Sequence, residues 1–193
     1  MPVFDADYYD RYYFSAATRI AEPEYFDRLA QFVAAYLNLL GCPPETILDA
    51  GCGAGMIHAG LLQAWPEVRI TAFDTSEYVC DRYGWTHSSM EDFESSDTYD
   101  LVICYDVLQY LDRGAASAAI EKLSDLSSAV LLFGVLTKED WQQNCDQERT
   151  DGRAHLRSAA WYRERLKDQF RNIGGGIFVR RDVDVVTYAL ESL

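Results

Sequence analysis

The chain has 193 residues, 49% of them hydrophobic, and a formal charge of −14 from 17 Lys+Arg against 31 Asp+Glu. That length suffices for one domain with a substantial core. The acidic balance argues against general binding to nucleic acid or an anionic membrane, so DNA is not an expected partner. Five cysteines, at 42, 52, 80, 104 and 145, are odd in number and widely spaced, which fits neither a disulfide framework nor a metal cluster; no metal is expected. With no basic-then-apolar leader and no apolar run near the ~20 residues that span a bilayer, the expectation is a cytoplasmic protein without a membrane partner. The pattern specifies no oligomeric state.

In chain order, the first element is an aromatic segment, Tyr8, Tyr9, Tyr12, Tyr13 and Phe14, with Asp7, Asp10 and Arg11 among them. Tyrosines bury apolar area and keep a hydroxyl available, so packing on a sheet edge and covering a ligand both remain open; Tyr9 and Tyr13 are candidate substrate contacts. From Glu24 to Leu40, apolar residues at helical spacing predict an amphipathic helix, with Gly41 as its cap and Cys42-Pro43-Pro44 as a turn. Strand 46 to 50, helix 55 to 64, strand 68 to 73, helix 76 to 83 and a weak strand at 85 to 88 come next. Strand 99 to 105, helix 114 to 124 and strand 129 to 135 continue the alternation, which predicts a mainly parallel sheet covered on both faces. Residues 137 to 157 are polar and long for a connection, a candidate substrate loop. A helix from Ala160 to Phe170 and strands at 173 to 179 and 183 to 190 close the chain, with Gly174-Gly175-Gly176 marking a bulge or close backbone approach in the strand pair. The whole, 1 to 193, reads as a single domain in which residues 1 to 45 form an N-terminal helical cover.

The sharpest local signal follows the first strand, where Ile47-Leu48-Asp49-Ala50 runs into Gly51, Gly53 and Gly55. A strand that enters a helix through a turn without side chains lets a ligand touch backbone. A dinucleotide fingerprint does not fit, because the sixth position is Met56 counted from Gly51 and His58 counted from Gly53. Nor does a phosphate loop, since no Lys-Ser or Lys-Thr pair follows. Asp49 at the strand end repels phosphate but suits a ligand with an ammonium group or a cationic sulfur. Cys52 reads as a small residue at a tight turn before it reads as a reactive thiol.

The run Asp49-Ala50-Gly51-Cys52-Gly53-Ala54-Gly55 resembles the first motif of the class I S-adenosylmethionine-dependent methyltransferases. Two further landmarks share the resemblance: the second strand ends in Asp74, followed by Thr75, and Tyr99 to Leu111 is similar to the family's fourth strand and short helix. Across residues 46 to 135, it implies a Rossmann-like α/β fold with a seven-stranded mixed sheet, order 3-2-1-4-5-7-6, and helices on both faces. It also implies S-adenosyl-L-methionine as cofactor and methyl transfer by in-line displacement. On this resemblance Asp49, Gly51, Cys52, Gly53 and Gly55 lie near the methionyl end, Asp74 on the ribose, and Cys104 and Tyr105 present backbone to the cofactor. The family's acidic adenine contact is replaced by Ser89, which leaves Ser89, Met90, Glu91 and Asp92 open as adenine contacts. No proline follows Tyr105-Asp106, which resembles the branch acting on small molecules; the histidine common in that branch near Gln109 and Tyr110 is missing.

Candidate catalytic residues are therefore His155, Asp106 and Tyr110, with Gln109 and Arg157 as substrate contacts. His155 lies in a stretch, residues 149 to 181, that holds 9 Lys+Arg against 3 Asp+Glu, so an anionic acceptor held by Arg149, Arg153 and Arg157 is open. Asp106 is read either as a group orienting a substrate amine or as a helix cap. Two other functions stay open: an RNA or protein methyltransferase, and a cofactor-binding partner protein without catalysis.

Overall fold

In the computed structural model, which describes residues 4 to 187, the apolar runs form one seven-stranded sheet in the order β3-β2-β1-β4-β5-β7-β6. The strands are β1 (Thr46–Ala50), β2 (Arg69–Asp74), β3 (Thr86–His87), β4 (Tyr99–Tyr105), β5 (Ser127–Gly134), β6 (Phe170–Asn172) and β7 (Ile177–Arg180). Pairings are parallel from β3 to β5 and antiparallel for β5–β7 and β6–β7, the Rossmann-like arrangement expected. The helices are α1 (Ala6–Tyr9), α2 (Pro23–Leu39), α3 (His58–Ala64), α4 (Glu77–Tyr83), α5 (Arg113–Leu126), α6 (Lys138–Gln143) and α7 (Ala159–Leu166). No helix among the described residues is long and apolar enough to cross a membrane.

Because successive strand residues face opposite sides, the sheet feeds two cores. Leu48, Val102, Cys104, Leu131 and Phe133 pack with Ala116, Ile120 and Leu123 of α5 and with Trp161 and Leu166 of α7. Ile47, Leu101, Ile103, Val130 and Leu132 pack on the other face with Ala30, Val33 and Leu37 of α2 and Leu61 of α3. Each fully buried leucine contributes roughly 1.5–3 kcal/mol. A smaller aromatic cluster joins Tyr8 and Tyr9 to Val79 beside the β2 end.

Three expectations are corrected. The helix predicted from 55 begins at His58, because Gly51, Gly53 and Gly55 take φ values of 76°, 53° and 64°, incompatible with a right-handed helix. The closing hairpin is displaced. Gly174, Gly175 and Gly176 all have positive φ and make its turn, with Asn172 Oδ1 accepting from Gly174 N at 2.9 Å. The strands thus fall at Phe170–Asn172 and Ile177–Arg180, Phe170 leaving the predicted helix; of the strand expected at 183 to 190, residues 183 to 187 are not extended into the sheet and the rest lies outside the described residues. The polar segment after β5 is also partly helical, since the Thr137 hydroxyl accepts from Asp140 N and caps α6.

Asp100 joins three strand starts. Its Oδ2 accepts from Glu45 N and Thr46 N at 2.9 Å and from the Thr46 hydroxyl at 3.0 Å, while Oδ1 accepts from the Ser128 hydroxyl at 3.2 Å. Burial raises its pKa, but these hydrogen bonds outweigh burial and hold it below the ordinary 3.8. At pH 7, Asp100→Ala is expected to lower the unfolding free energy by about 1.5–3 kcal/mol. A lowered folded pKa contributes stability that is whole above the unfolded value of about 3.9 and lost as pH falls through the folded one. Urea titrations of wild type and variant should therefore converge in strong acid; an undiminished gap there would contradict the role.

Candidate active site

The three-glycine turn is bolted to the end of β2. Gly51 N and Cys52 N both donate to Phe73 O, at 2.9 and 3.1 Å. Asp74 Oδ2 accepts from Gly53 N and Oδ1 from Ser76 N, each at 2.8 Å, and Trp85 Nε1 donates to Gly53 O at 3.1 Å. A Cβ at Gly51 would stand 2.5 Å from Val107, and one at Gly55 2.9 Å from His58 and Trp85. At Gly53 the nearest atom would be the Tyr9 ring, 3.6 Å away, so this backbone opens toward the tyrosines. Underneath, His58 Nε2 and Asp49 Oδ2 are paired at 2.7 Å, both side chains buried.

Above the turn lies a cavity of about 940 Å³ at the carboxyl ends of β1, β2 and β4, where the strand order reverses and such sheets bind ligands. Asp49, Gly51, Cys52, Gly53, Asp74 and Thr75 form one side; Ser89, Met90, Glu91 and Asp92 form its far end. The roof is Tyr8, Tyr9 and Tyr13, carried by α1 and the wider π-helical turn Asp10–Phe14 that follows it. Ser76 Oγ donates to Phe4 O and Tyr9 packs on Tyr78 of α4, which pins this segment over the β2 end.

Electrostatics separate acceptors from donors here. Burial pushes Asp74 up, while hydrogen bonds from Ser76 N and Gly53 N pull it back. Burial, and then the Asp49 and Asp74 carboxylates, push the Cys52 thiol up, so it stays protonated rather than nucleophilic. Burial also holds the Tyr8, Tyr9 and Tyr110 hydroxyls above the ordinary phenol value, which leaves them hydrogen-bond donors at neutral pH. Among the described residues no group of His, Cys, Asp or Glu is placed to hold a metal ion.

The remaining sequence candidates divide. Tyr105, Asp106, Tyr110 and His155 line the cavity; Gln109 lines a connected chamber. Gly55 sits beneath the turn, packed by His58 and Trp85. Cys104 is fully buried in the α5 core because strand alternation turns it away from the face that Tyr105 occupies. Arg157 is drawn off by the fold: its guanidinium donates to Leu108 O, Leu111 O and the Tyr162 hydroxyl. Arg153 forks onto Asp151, and Arg149 lies 3.8 Å from Asp146, so the expected anion clamp is internally neutralised. Ser89 closes its own turn, its hydroxyl donating to Asp92 Oδ2 at 2.6 Å. Tyr8, expected as part of the aromatic segment, has its hydroxyl 3.2 Å from that of Tyr110, a pairing the sequence does not show, and the supporting roles of His58 and Trp85 were not foreseen. The only available signal for the latter two was a histidine and a tryptophan near a glycine turn that leaves space beneath itself.

Against known proteins, a family model described as a methyltransferase domain matches residues 18–174. The chain is 35% identical over 103 residues to the malonyl acyl-carrier-protein O-methyltransferase of Acetivibrio thermocellus, covering 47% of this chain and 36% of that protein. It is 39% identical over 79 residues to ribosomal RNA small subunit methyltransferase C of Citrobacter koseri, covering 39% and 23%. It thus spans less than half the length of these curated relatives. Among solved structures it superposes on the magnesium protoporphyrin IX methyltransferase of Synechocystis, crystallised with bound S-adenosylmethionine, at TM-score 0.60 and 23% identity, covering 90% of this chain and 94% of that one.

The buried Asp49–His58 pair makes a direct expectation. His58→Ala leaves the Asp49 carboxylate buried without its partner, so the unfolding free energy should fall by about 3–5 kcal/mol. Denaturant titration checks this, and a loss below about 1 kcal/mol would mean that Asp49 is satisfied otherwise.

Proposed function

The chain belongs to the methyltransferase domain family, and on that premise we propose that it transfers a methyl group from S-adenosyl-L-methionine to a small-molecule acceptor. The observation that carries the proposal is the roofed cavity over the three-glycine turn. Its donor set fits the cofactor. The Gly53 backbone faces an open cradle that a side chain would fill, and the Asp74 carboxylate keeps lone pairs for the hydroxyls of a ribose. Asp49, Asp74 and Asp106 make the cavity acidic, which favours a cationic sulfur. Met90, with Ser89, Glu91 and Asp92 around it, is the proposed adenine end.

When bound, S-adenosylmethionine supplies an electrophilic methyl group, so the protein need provide neither a metal nor a covalent nucleophile. What this chain contributes is placement and dryness. Tyr8, Tyr9 and Tyr13 exclude water from above. Asp106, Gln109 and Tyr110, on the turn after β4, orient the acceptor, and the raised Asp106 carboxylate is suited to take its proton. His155 donates its backbone N–H to Gln109 O at 2.7 Å and so steadies the same turn, in addition to facing the cavity. Residues 1 to 45 act as cover and residues 137 to 157 as the acceptor-side loop of a single domain. A cytoplasmic setting fits the five cysteines, all of them free.

Calorimetry with S-adenosylhomocysteine tests the reading. Micromolar binding, about −8 kcal/mol, is expected, and Asp74→Asn should weaken it by about 1.5–3 kcal/mol with the melting temperature checked in parallel. Folded wild-type protein that binds none of it would overturn the proposal.

A further inference from the structure

Behind the Asp106 turn a second chamber of about 410 Å³ opens, sharing Tyr13, Phe26, Met56, Tyr105, Asp106 and Tyr110 with the larger cavity. One charged hydrogen-bond acceptor, the Asp106 carboxylate, faces it without an adequate partner. Asp106 is surrounded by protein, yet its carboxylate has an open surface on the cavities it lines. Its one hydrogen bond among the described residues is a long one, 3.4 Å from Gln109 Nε2. Gln109 is only 4% exposed, and its Oε1 is buried with no partner. The amide cannot usefully turn round, since that would set its oxygen against the carboxylate.

The arrangement is held rigidly. Asp106 is the only non-glycine residue among those described with positive φ, 59°, a conformation that costs most side chains about 1 kcal/mol or more but that Asp and Asn tolerate. Its N–H donates to Gly134 O at 2.9 Å, and Gln109 O is fixed by His155 N at 2.7 Å. The chamber's other carboxylates already have donors. Asp140 accepts from Thr137 and Asn144; Asp151 holds Arg153; Asp146 accepts from Glu148 N and Arg149 N. Among the described residues no cationic side chain is paired with Asp106. The chamber is lined by Tyr12, Tyr13, Tyr25, Tyr105 and Tyr110. The hydroxyls of Tyr25 and Tyr105 pair with each other at 2.5 Å and that of Tyr110 with Tyr8.

An under-partnered carboxylate among tyrosine rings calls for a ligand that donates hydrogen bonds and carries positive charge. We propose that this chamber recognises an organic amine in its ammonium form, with N–H groups donated to the Asp106 carboxylate and the charge lying among the tyrosine rings. An anion or a carbonyl compound would leave that carboxylate unsatisfied. Calling this amine the methyl acceptor rests on the proposed function, because only then does the adjoining cavity hold the methyl donor; the bound ammonium must first give one proton to the Asp106 carboxylate, which frees the nitrogen lone pair.

Three probes that share a phenylethyl group separate the possibilities by calorimetry, each with and without S-adenosylhomocysteine: 2-phenylethylammonium, 2-phenylethanol and 3-phenylpropanoate. The ammonium should bind at least about tenfold more tightly than the alcohol, and the carboxylate not measurably. Asp106→Asn, which keeps the left-handed backbone accessible, should erase that preference while leaving the alcohol unchanged. Equal affinity for ammonium and alcohol, no ammonium binding at millimolar concentration, or a preference that survives in Asp106→Asn overturns the proposal. The wild-type series decides it even if a variant does not fold. Binding of S-adenosylhomocysteine without ammonium preference rejects the amine alone; ammonium preference without S-adenosylhomocysteine binding rejects the methyl-donor reading alone.

Discussion

Two strand ends are held together by three backbone amides: Gly51 and Cys52 donate to Phe73 O, and Gly53 donates to the Asp74 carboxylate, which Ser76 N steadies from its own side. The amides of 51 to 53 can reach β2 only because the chain turns back through positive φ at Gly51, Gly53 and Gly55. Residues with a Cβ would strain there and would strike Val107, His58 or Trp85 at two of the three places. From this lock the rest follows. It sets Gly53 under Tyr9, brings Asp74 to the cavity wall, and leaves beneath the turn a space that His58 and Trp85 fill, where His58 also hydrogen-bonds to Asp49.

Charge is organised around the same cavity in a way that the overall balance conceals. The chain is acidic, and its basic stretch looks from composition like an anion site. In the fold the arginines at 149, 153 and 157 face Asp146, Asp151 and the carbonyls of the Asp106 turn. The arginines stiffen the loop, and among the described residues Asp106 is left with one long hydrogen bond, 3.4 Å from Gln109 Nε2. A guanidinium has five donors in a fixed fork and is readily absorbed by carbonyl ends and carboxylates nearby. A run of arginines is therefore weak support for an anionic ligand until their partners are known.

The alternating strands and helices, the amphipathic face of α2, and the glycine turn with its flanking acids could all be read along the chain, because each is a short-range pattern of period two, period 3.6 or fixed spacing. The closing hairpin was read a few residues late. Its turn glycines read as a bulge or close backbone approach, since apolar residues on both sides of a Gly-Gly-Gly look alike whether the glycines interrupt a strand or join two. The sequence places the backbone of Cys104 and Tyr105 at a strand end, and which of the two side chains faces the cavity depends on which sheet face the cavity occupies.

What the sequence alone determined, then, is the order of elements, the backbone-exposing turn and the acidic residues at the strand ends. Which polar groups remain without partners was decided only by tertiary structure. The freedom of Asp106 and Gln109 Oε1, the engagement of Arg157 with carbonyls some 46 to 49 residues away, and the pairing of Tyr8 with Tyr110 across 102 residues all depend on contacts between distant segments. A hydrogen bond is satisfied or orphaned by distance and angle in space, and no local pattern carries that information.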